Sequence, residues 1–249
     1  METILGYSVT SKSKKDCIIE IMKWLESEKK GNYFVCACPH SLEIARTDNF
    51  FDRAIKNASL IVPDSSGIVL TSKILGGNIR NRVTGIDIFW GLNKVLNEKN
   101  NNIRCFFLGS TMENLLKIKD RMKLDFPNIK VAGIYSPPFK PEFSEKENQL
   151  MIKAINEANP DVLWIGMTAP KQEKWAYQFK DHLEVKLIGP IGAVFDFYSG
   201  RIREAHPVIQ KMGLYWLHRF FQDPRRLWRR NLISTPKFLL RLIHSRFKK

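Results

Sequence analysis

Several short apolar runs in this chain end on residues that could do chemistry. Leu60-Ile-Val leads into Pro63-Asp64-Ser65-Ser66-Gly67, a carboxylate at a strand tip with a glycine opening the next helix. Asp64 suits a general base, or the N-cap of the helix that follows, a position Asp favours. Arg104–Leu108 leads into Gly109-Ser110-Thr111, a turn whose backbone N–H groups favour an anion such as a phosphate. Ile165 leads into Gly166-Met-Thr-Ala-Pro170-Lys171-Gln172-Glu173. Gln172 carries both a donor and an acceptor, as reading a base or sugar edge requires. Lys171 and Glu173 read as an exposed pair of small consequence. Gly189-Pro190-Ile191-Gly192 runs on to Asp196, framed by Phe195 and Phe197. Arg82-Val-Thr84-Gly-Ile-Asp87 adds a guanidinium and a Thr/Asp pair that either contacts a sugar or caps a helix from Ile86.

Other chemistries lack their residues. There is no GxGxxG, no P-loop and no HExxH. No Asp-x-Asp is present and the five His are dispersed, so neither a metal nor a cofactor is expected. A diphosphate leaving group would then need arginines, which bind it bidentately. Arg82 is the body's candidate; Arg219, Arg225, Arg226, Arg229 and Arg230 lie in the tail. The cysteines, Cys17, Cys36, Cys38 and Cys105, form no CxxC and read as reduced core thiols of a cytosolic protein.

The positioning elements follow from hydrophobic periodicity. Strands are expected at Ile4–Val9, Tyr33–Cys38, Leu60–Val62, Arg104–Leu108, Lys130–Ile134, Val162–Ile165 and Lys186–Ile188. Helices are expected at Lys14–Glu28, His40–Asn57, Gly67–Leu75, Ile86–Asn97, Met112–Asp125, Ser144–Ala158 and Lys171–His182. Alternation of this kind predicts an α/β fold, a doubly wound, mostly parallel Rossmann-like sheet. Ligands of such sheets sit at the carboxyl ends of the strands. The α/β catalytic domain is expected over 1–200, with a C-terminal basic helical appendage over 201–249. Trp90 and Trp164 fit the core.

The appendage holds 13 Lys and Arg against only Glu204 and Asp223, whereas the first 200 residues hold 27 against 23. Tyr215, Trp216, Phe220, Phe221, Trp228, Phe238 and Phe247 are interleaved with the cations. Helices are expected over Pro207–Phe221, Pro224–Leu232 and Pro236–Phe247, each opening near a proline. In the last, Phe238, Leu239, Leu242 and Ile243 form an apolar stripe beside a basic face, the pattern of a helix lying on an anionic membrane. For the first, packing on the sheet is an equal alternative. No run is long enough to span a bilayer, and the opening residues do not make a secretory signal. The tail also allows a nucleic-acid partner, but no reading motif accompanies it. A scaffold without catalysis is the remaining alternative.

Taken in order, these stretches resemble the WecG/TagA/CpsF family of bacterial glycosyltransferases. The resemblance rests on Pro63-Asp64, Arg82-Val-Thr-Gly-x-Asp87, the Gly109 turn, Ser136-Pro-Pro-Phe139, Gly166-x-x-x-Pro170-Lys-Gln-Glu173, Gly192-x-x-x-Asp196 and Gly213-Leu-x-Trp-Leu-x-Arg219. It implies inverting, metal-independent transfer of N-acetylmannosamine or a relative from a UDP-sugar donor. The acceptor would be a polyprenyl-diphosphate-linked sugar at the inner face of the bacterial cell membrane, in cell-wall or capsule polysaccharide synthesis. Asp64 would be the base. Arg82, Thr84, Asp87, Gly109, Ser110, Gln172, Asp196, Arg219, Arg226 and Arg229 would bind the donor. A homo-oligomer stays open. The chain departs from the family pattern at Cys36-Ala-Cys38, at Ser65 and at Glu204 and His206. UDP-glucose or another hexose donor therefore stands as the alternative.

Overall fold

A computed structural model describes residues 1–100, 102–202, 215–222, 224 and 228–247. The chain opens with β1 (Glu2–Ile4), β2 (Tyr7–Val9) and α1 (Lys14–Glu26). Next come β3 (Asn32–Ala37), α2 (Pro39–Ala45), α3 (Asn49–Lys56), β4 (Leu60–Pro63), α4 (Ser66–Ile74) and α5 (Gly85–Lys99). The second half runs β5 (Arg104–Gly109), α6 (Met112–Asp125), β6 (Lys130–Tyr135), α7 (Glu145–Ala158), β7 (Val162–Gly166), α8 (Lys171–Phe179), β8 (Leu187–Pro190) and α9 (Val194–Tyr198). In the tail lie α10 (Tyr215–Gln222), a π-helical turn (Arg229–Ser234) and α11 (Thr235–Phe247).

Strands β3 to β8 form one six-stranded sheet, in the order β4-β3-β8-β7-β5-β6, with every neighbouring pair parallel. A parallel sheet covered on both faces needs strands apolar on both sides. Successive residues accordingly enter opposite cores. Phe106, Leu108, Leu163 and Ile165 join one, together with Leu42, Phe51 and Trp175 from α2, α3 and α8. Cys105, Phe107, Val162 and Trp164 join the other, with Ile18, Phe89 and Leu115 from α1, α5 and α6. The connection from β5 leads outward to β6, while that from β7 leads back to β8. The sheet's switch point thus lies between β5 and β7, the place where doubly wound folds hold ligands.

Some expected elements change form. Ile4–Val9 is a hairpin apart from the main sheet, with Ile4 opposite Tyr7. Leu5 and Gly6 adopt φ of 47° and 90°, and this left-handed pair turns the chain in two residues. The single helix expected over His40–Asn57 breaks in two, because Asp48 accepts the Phe51 N–H and starts α3 afresh. Trp164 is fully buried and Trp90 partly so.

The last helix corrects a further expectation. Phe238 and Leu242 do not face outward; both are fully buried, and Phe238 joins the core that contains Leu42 and Ala45 of α2. Arg241 adds a bidentate pair to Glu43 of α2, at 2.8 and 3.1 Å. The apolar stripe of a basic amphipathic helix can be covered by the body as well as by lipid, and here α2 covers it. Among the described residues of the tail, Phe221, Trp228, Leu232, Ile233 and Leu240 face outward. Much of the expected helix from Pro207 lies outside the described residues. Phe238→Ala should lower the unfolding free energy by about 3 kcal/mol in urea denaturation, the cost of emptying a buried phenylalanine site.

Candidate functional site

At the tip of β4 the ladder runs one residue past the strand: the Asp64 N–H donates to the Ala37 carbonyl of β3 at 2.9 Å. Asp64 is half-buried. It is not the cap of α4; the Ser65 hydroxyl takes that place by accepting the Ile68 N–H. The Val83 N–H donates to the Pro63 carbonyl at 2.8 Å, which brings the backbone of Arg82 alongside the same tip.

Beside it, α8 begins. The Ile191 and Gly192 N–H groups both donate to the Ile165 carbonyl, at 2.9 and 3.1 Å, folding the loop after β8 over the tip of β7. Under this loop Gln172 and Glu173 are 5% and 3% exposed. Gln172 Nε2 donates to Glu173 Oε1 at 2.8 Å. Gln172 Oε1 and Glu173 Oε2 are buried without a hydrogen-bond partner. Burial pushes the Glu173 carboxyl up to about 7, and the Asp64 carboxylate adds to the rise. Burial likewise raises the Cys36 thiol, with Asp64 and Glu173 next in influence. Asp64, Cys36 and Glu173, from β4, β3 and α8, therefore sense one another.

Glu173 was expected at the surface, and its burial overturns that reading. Lys171 turns away instead, donating to the Lys140 carbonyl at 2.7 Å with its ammonium over the Phe143 ring. The run Lys171-Gln-Glu-Lys174 looks exposed in sequence; its middle is buried in the fold, with Gly192 of the loop after β8 against Gln172.

On the other side of the switch point, Gly109 takes φ +113°, and a Cβ there would meet the Gly166 carbonyl oxygen at 2.6 Å. The Ser110 N–H donates to that same carbonyl at 3.0 Å. This N–H is thus engaged, and the turn offers the Ser110 hydroxyl instead. Asn114 Nδ2 donates to Ser110 Oγ at 2.8 Å and to Asp196 Oδ1 at 3.4 Å. Arg201 Nη1 donates to the same Asp196 oxygen at 3.4 Å. A cleft of about 330 Å³ opens here, lined by Thr111, Asn114, Lys117, Gly200 and Arg201 among others. The structure therefore joins Ser110 and Asp196 through Asn114. Neither Asn114 nor Arg201 stood out in the sequence, although Asn114 sits three residues after the N-cap Thr111.

Thr84 and Asp87 form the capping box of α5. Asp87 Oδ2 accepts from the Thr84 N–H and hydroxyl at 3.0 and 2.6 Å, and Lys14 Nζ approaches Oδ1 at 3.0 Å. Burial opposes ionisation of Asp87, but the bonds from Thr84 and Lys14 hold its carboxyl below the usual range. Arg219 falls on α10 and Arg229 opens the π-helical turn, while Arg226 lies outside the described residues. Among the described residues, no three His, Cys, Asp or Glu gather as a metal site would require, and no helix is long and apolar enough to cross a membrane. Cys17, Cys36, Cys38 and Cys105 are free thiols.

The model of one protein family, described as the glycosyl transferase WecG/TagA/CpsF family, matches residues 2–249. Several curated relatives share the name N-acetylglucosaminyldiphosphoundecaprenol N-acetyl-beta-D-mannosaminyltransferase. One from Bacillus spizizenii is 28% identical over 220 residues, covering 88% of this chain and 82% of the relative. One from Bacillus subtilis is 27% identical over 243 residues, covering 97% and 91%. A Staphylococcus aureus protein is 25% identical over 246 residues, covering 98% and 93%.

The raised carboxyl of Glu173 carries a stability signature. A carboxyl raised in the fold binds its proton more tightly there than in the unfolded chain. Stability is therefore greatest below its unfolded value of about 4.3 and declines as pH rises toward about 7. Glu173→Gln should raise the melting temperature at pH 8 and change it far less at pH 4.5, as followed by circular dichroism.

Proposed function

The chain belongs to the WecG/TagA/CpsF family of glycosyl transferases, and from that premise we propose that it transfers a sugar from a UDP donor to a polyprenyl-diphosphate-linked sugar, with inversion at the anomeric carbon. The names of its relatives favour N-acetylmannosamine as the sugar moved and N-acetylglucosaminyl-diphosphoundecaprenol as the acceptor. The observation that carries the reading is Asp64, half-buried at the tip of β4, with the capping of α4 left to Ser65.

In this reading Asp64 takes the proton of the acceptor hydroxyl as that oxygen bonds to the anomeric carbon. The bond to the UDP oxygen breaks on the opposite face, so the configuration inverts. Arg82, with Arg219, Arg226 and Arg229 of the tail, neutralises the charge that gathers on the departing diphosphate. No metal is assigned to this task. Gln172, Gly109, Ser110 and Asp196 contact the donor along the strand tips; Thr84 and Asp87 brace the loop that carries Arg82. Residues 201–249 act as an appendage that places the protein peripherally on the inner face of the cell membrane. Their cations and the outward Phe221, Trp228, Leu232 and Leu240 suit an anionic lipid surface. A glucose or other hexose donor is the second reading. It is favoured by Cys36, whose thiol is a weak hydrogen-bonding group beside Asp64.

UDP release on liposomes carrying the lipid-linked N-acetylglucosamine acceptor, with UDP-N-acetylmannosamine, UDP-glucose and UDP-N-acetylglucosamine in turn, tests this directly. One donor should react only when acceptor is present, and equally well in EDTA. Asp64→Asn should slow that reaction by roughly 100-fold or more; an unchanged rate would remove Asp64 from the base role. Leu232→Glu with Leu240→Glu should weaken sedimentation with anionic liposomes while leaving the thermal melt in place.

A further inference from the structure

Gln172 Oε1 and Glu173 Oε2 are buried oxygens without a hydrogen-bond partner, and each such orphan costs about 1–3 kcal/mol. The loop after β8 passes beside this amide without a side chain of its own: a Cβ added to Gly192 would lie 3.4 Å from both Oε1 and Nε2 of Gln172. The one bond that orients this amide is the 2.8 Å contact to Glu173 Oε1.

We propose that Glu173 is a positioning residue, whose carboxyl fixes the Gln172 amide so that Oε1 is presented as an acceptor to a hydroxyl or N–H donor of the nucleotide sugar. The inference rests on the donor-binding reading of this crevice given above. Glu173 performs the task as a neutral acid. Among the described residues no cation figures among the main influences on its carboxyl; Asp64 at the tip of β4 acts on it instead, as it does on the Cys36 thiol of β3. Lys171 and Lys174 on its own helix turn outward, to the Lys140 carbonyl and to Asp48 of α3. From β3, Tyr33 is occupied with the Ala54 carbonyl. The β8 segment Leu187–Pro190 and the loop residues Ile191 and Gly192 contain no titratable side chain. Burial raises this carboxyl to about 7, so it is protonated in mildly acidic solution. Ionisation would set a second negative charge beside Asp64, facing a diphosphate of the same sign.

Binding of UDP-N-acetylmannosamine and UDP-glucose without acceptor, measured by calorimetry from pH 6 to 8.5, tests the role without requiring turnover. Their diphosphate diesters do not titrate in this range. The wild type should bind the preferred donor roughly fivefold more weakly at pH 8.5 than at pH 6, with a midpoint near 7. Glu173→Gln keeps an oxygen for the Gln172 amide; it should stay within about twofold of the wild-type pH 6 affinity and lose the midpoint. Glu173→Ala should bind about tenfold more weakly throughout. Should that variant fail to fold, the Gln comparison decides alone. A pH course in Glu173→Gln equal to that of the wild type overturns the role of Glu173 only. Absence of donor binding to both the wild type and Asp64→Asn overturns the nucleotide-sugar reading itself, and this inference with it.

Discussion

Two successive carbonyls at the tip of β7 hold the crevice in shape. Ile165 O accepts the N–H groups of Ile191 and Gly192 on one side, and Gly166 O accepts that of Ser110 on the other. The first closes the β8 loop over Gln172 and Glu173; the second sets the turn that carries Ser110. Alternate carbonyls of a strand point to opposite neighbours, so a strand between two parallel partners can fasten both. Crowding at the tip leaves no latitude. A side chain on Gly166 would run into the Phe195 ring, and one on Gly109 into the Gly166 carbonyl. The identity of these glycines is a packing requirement of the site, whatever the ligand.

Much of this was legible in the sequence because a parallel sheet leaves a simple trace. Each apolar run is a strand, and the polar residues just after it stand at the carboxyl edge. The place of Asp64, Gly109, Ser110 and Asp196 at that edge is readable in this way. The burial of Gln172 is not, since part of its cover is a loop that returns some twenty residues later in the chain. Periodicity within Lys171–Lys174 contains no record of that loop. The seat of the last helix on α2 is hidden in the sequence for a related reason. A stripe of Phe238, Leu239 and Leu242 declares that something apolar must cover it, but the pattern is the same whether the cover is lipid or α2. The break at Asp48 shows a local signal overridden in reading: an N-cap residue sat inside an apparently continuous helical pattern.

The capping box of α5 shows how structural and functional duties share a short motif. Thr84 and Asp87 satisfy the helix terminus, and Lys14 ties Asp87 to the start of α1. Val83 between them and Arg82 hydrogen-bonds back to Pro63. The Arg82 backbone is thereby strung between a strand tip and a helix start, with little slack along the sheet edge.

The seating of α11 has a consequence for how the tail answers to ionic strength. Its attachment to the body is mainly apolar, through Phe238 and Leu242, and burial of that kind does not weaken as simple salt is added. The Arg241–Glu43 pair is partly exposed and loses some strength in salt, but it is secondary to that burial. Attraction of the tail's cations to a charged bilayer is screened within about 10 Å at 0.1 M salt. On the proposed membrane-bound reading, the helix is held to its own protein by one force and drawn to lipid by another, and salt tells the two apart. On that reading, raising ionic strength should release the protein from the bilayer with α11 still in its seat.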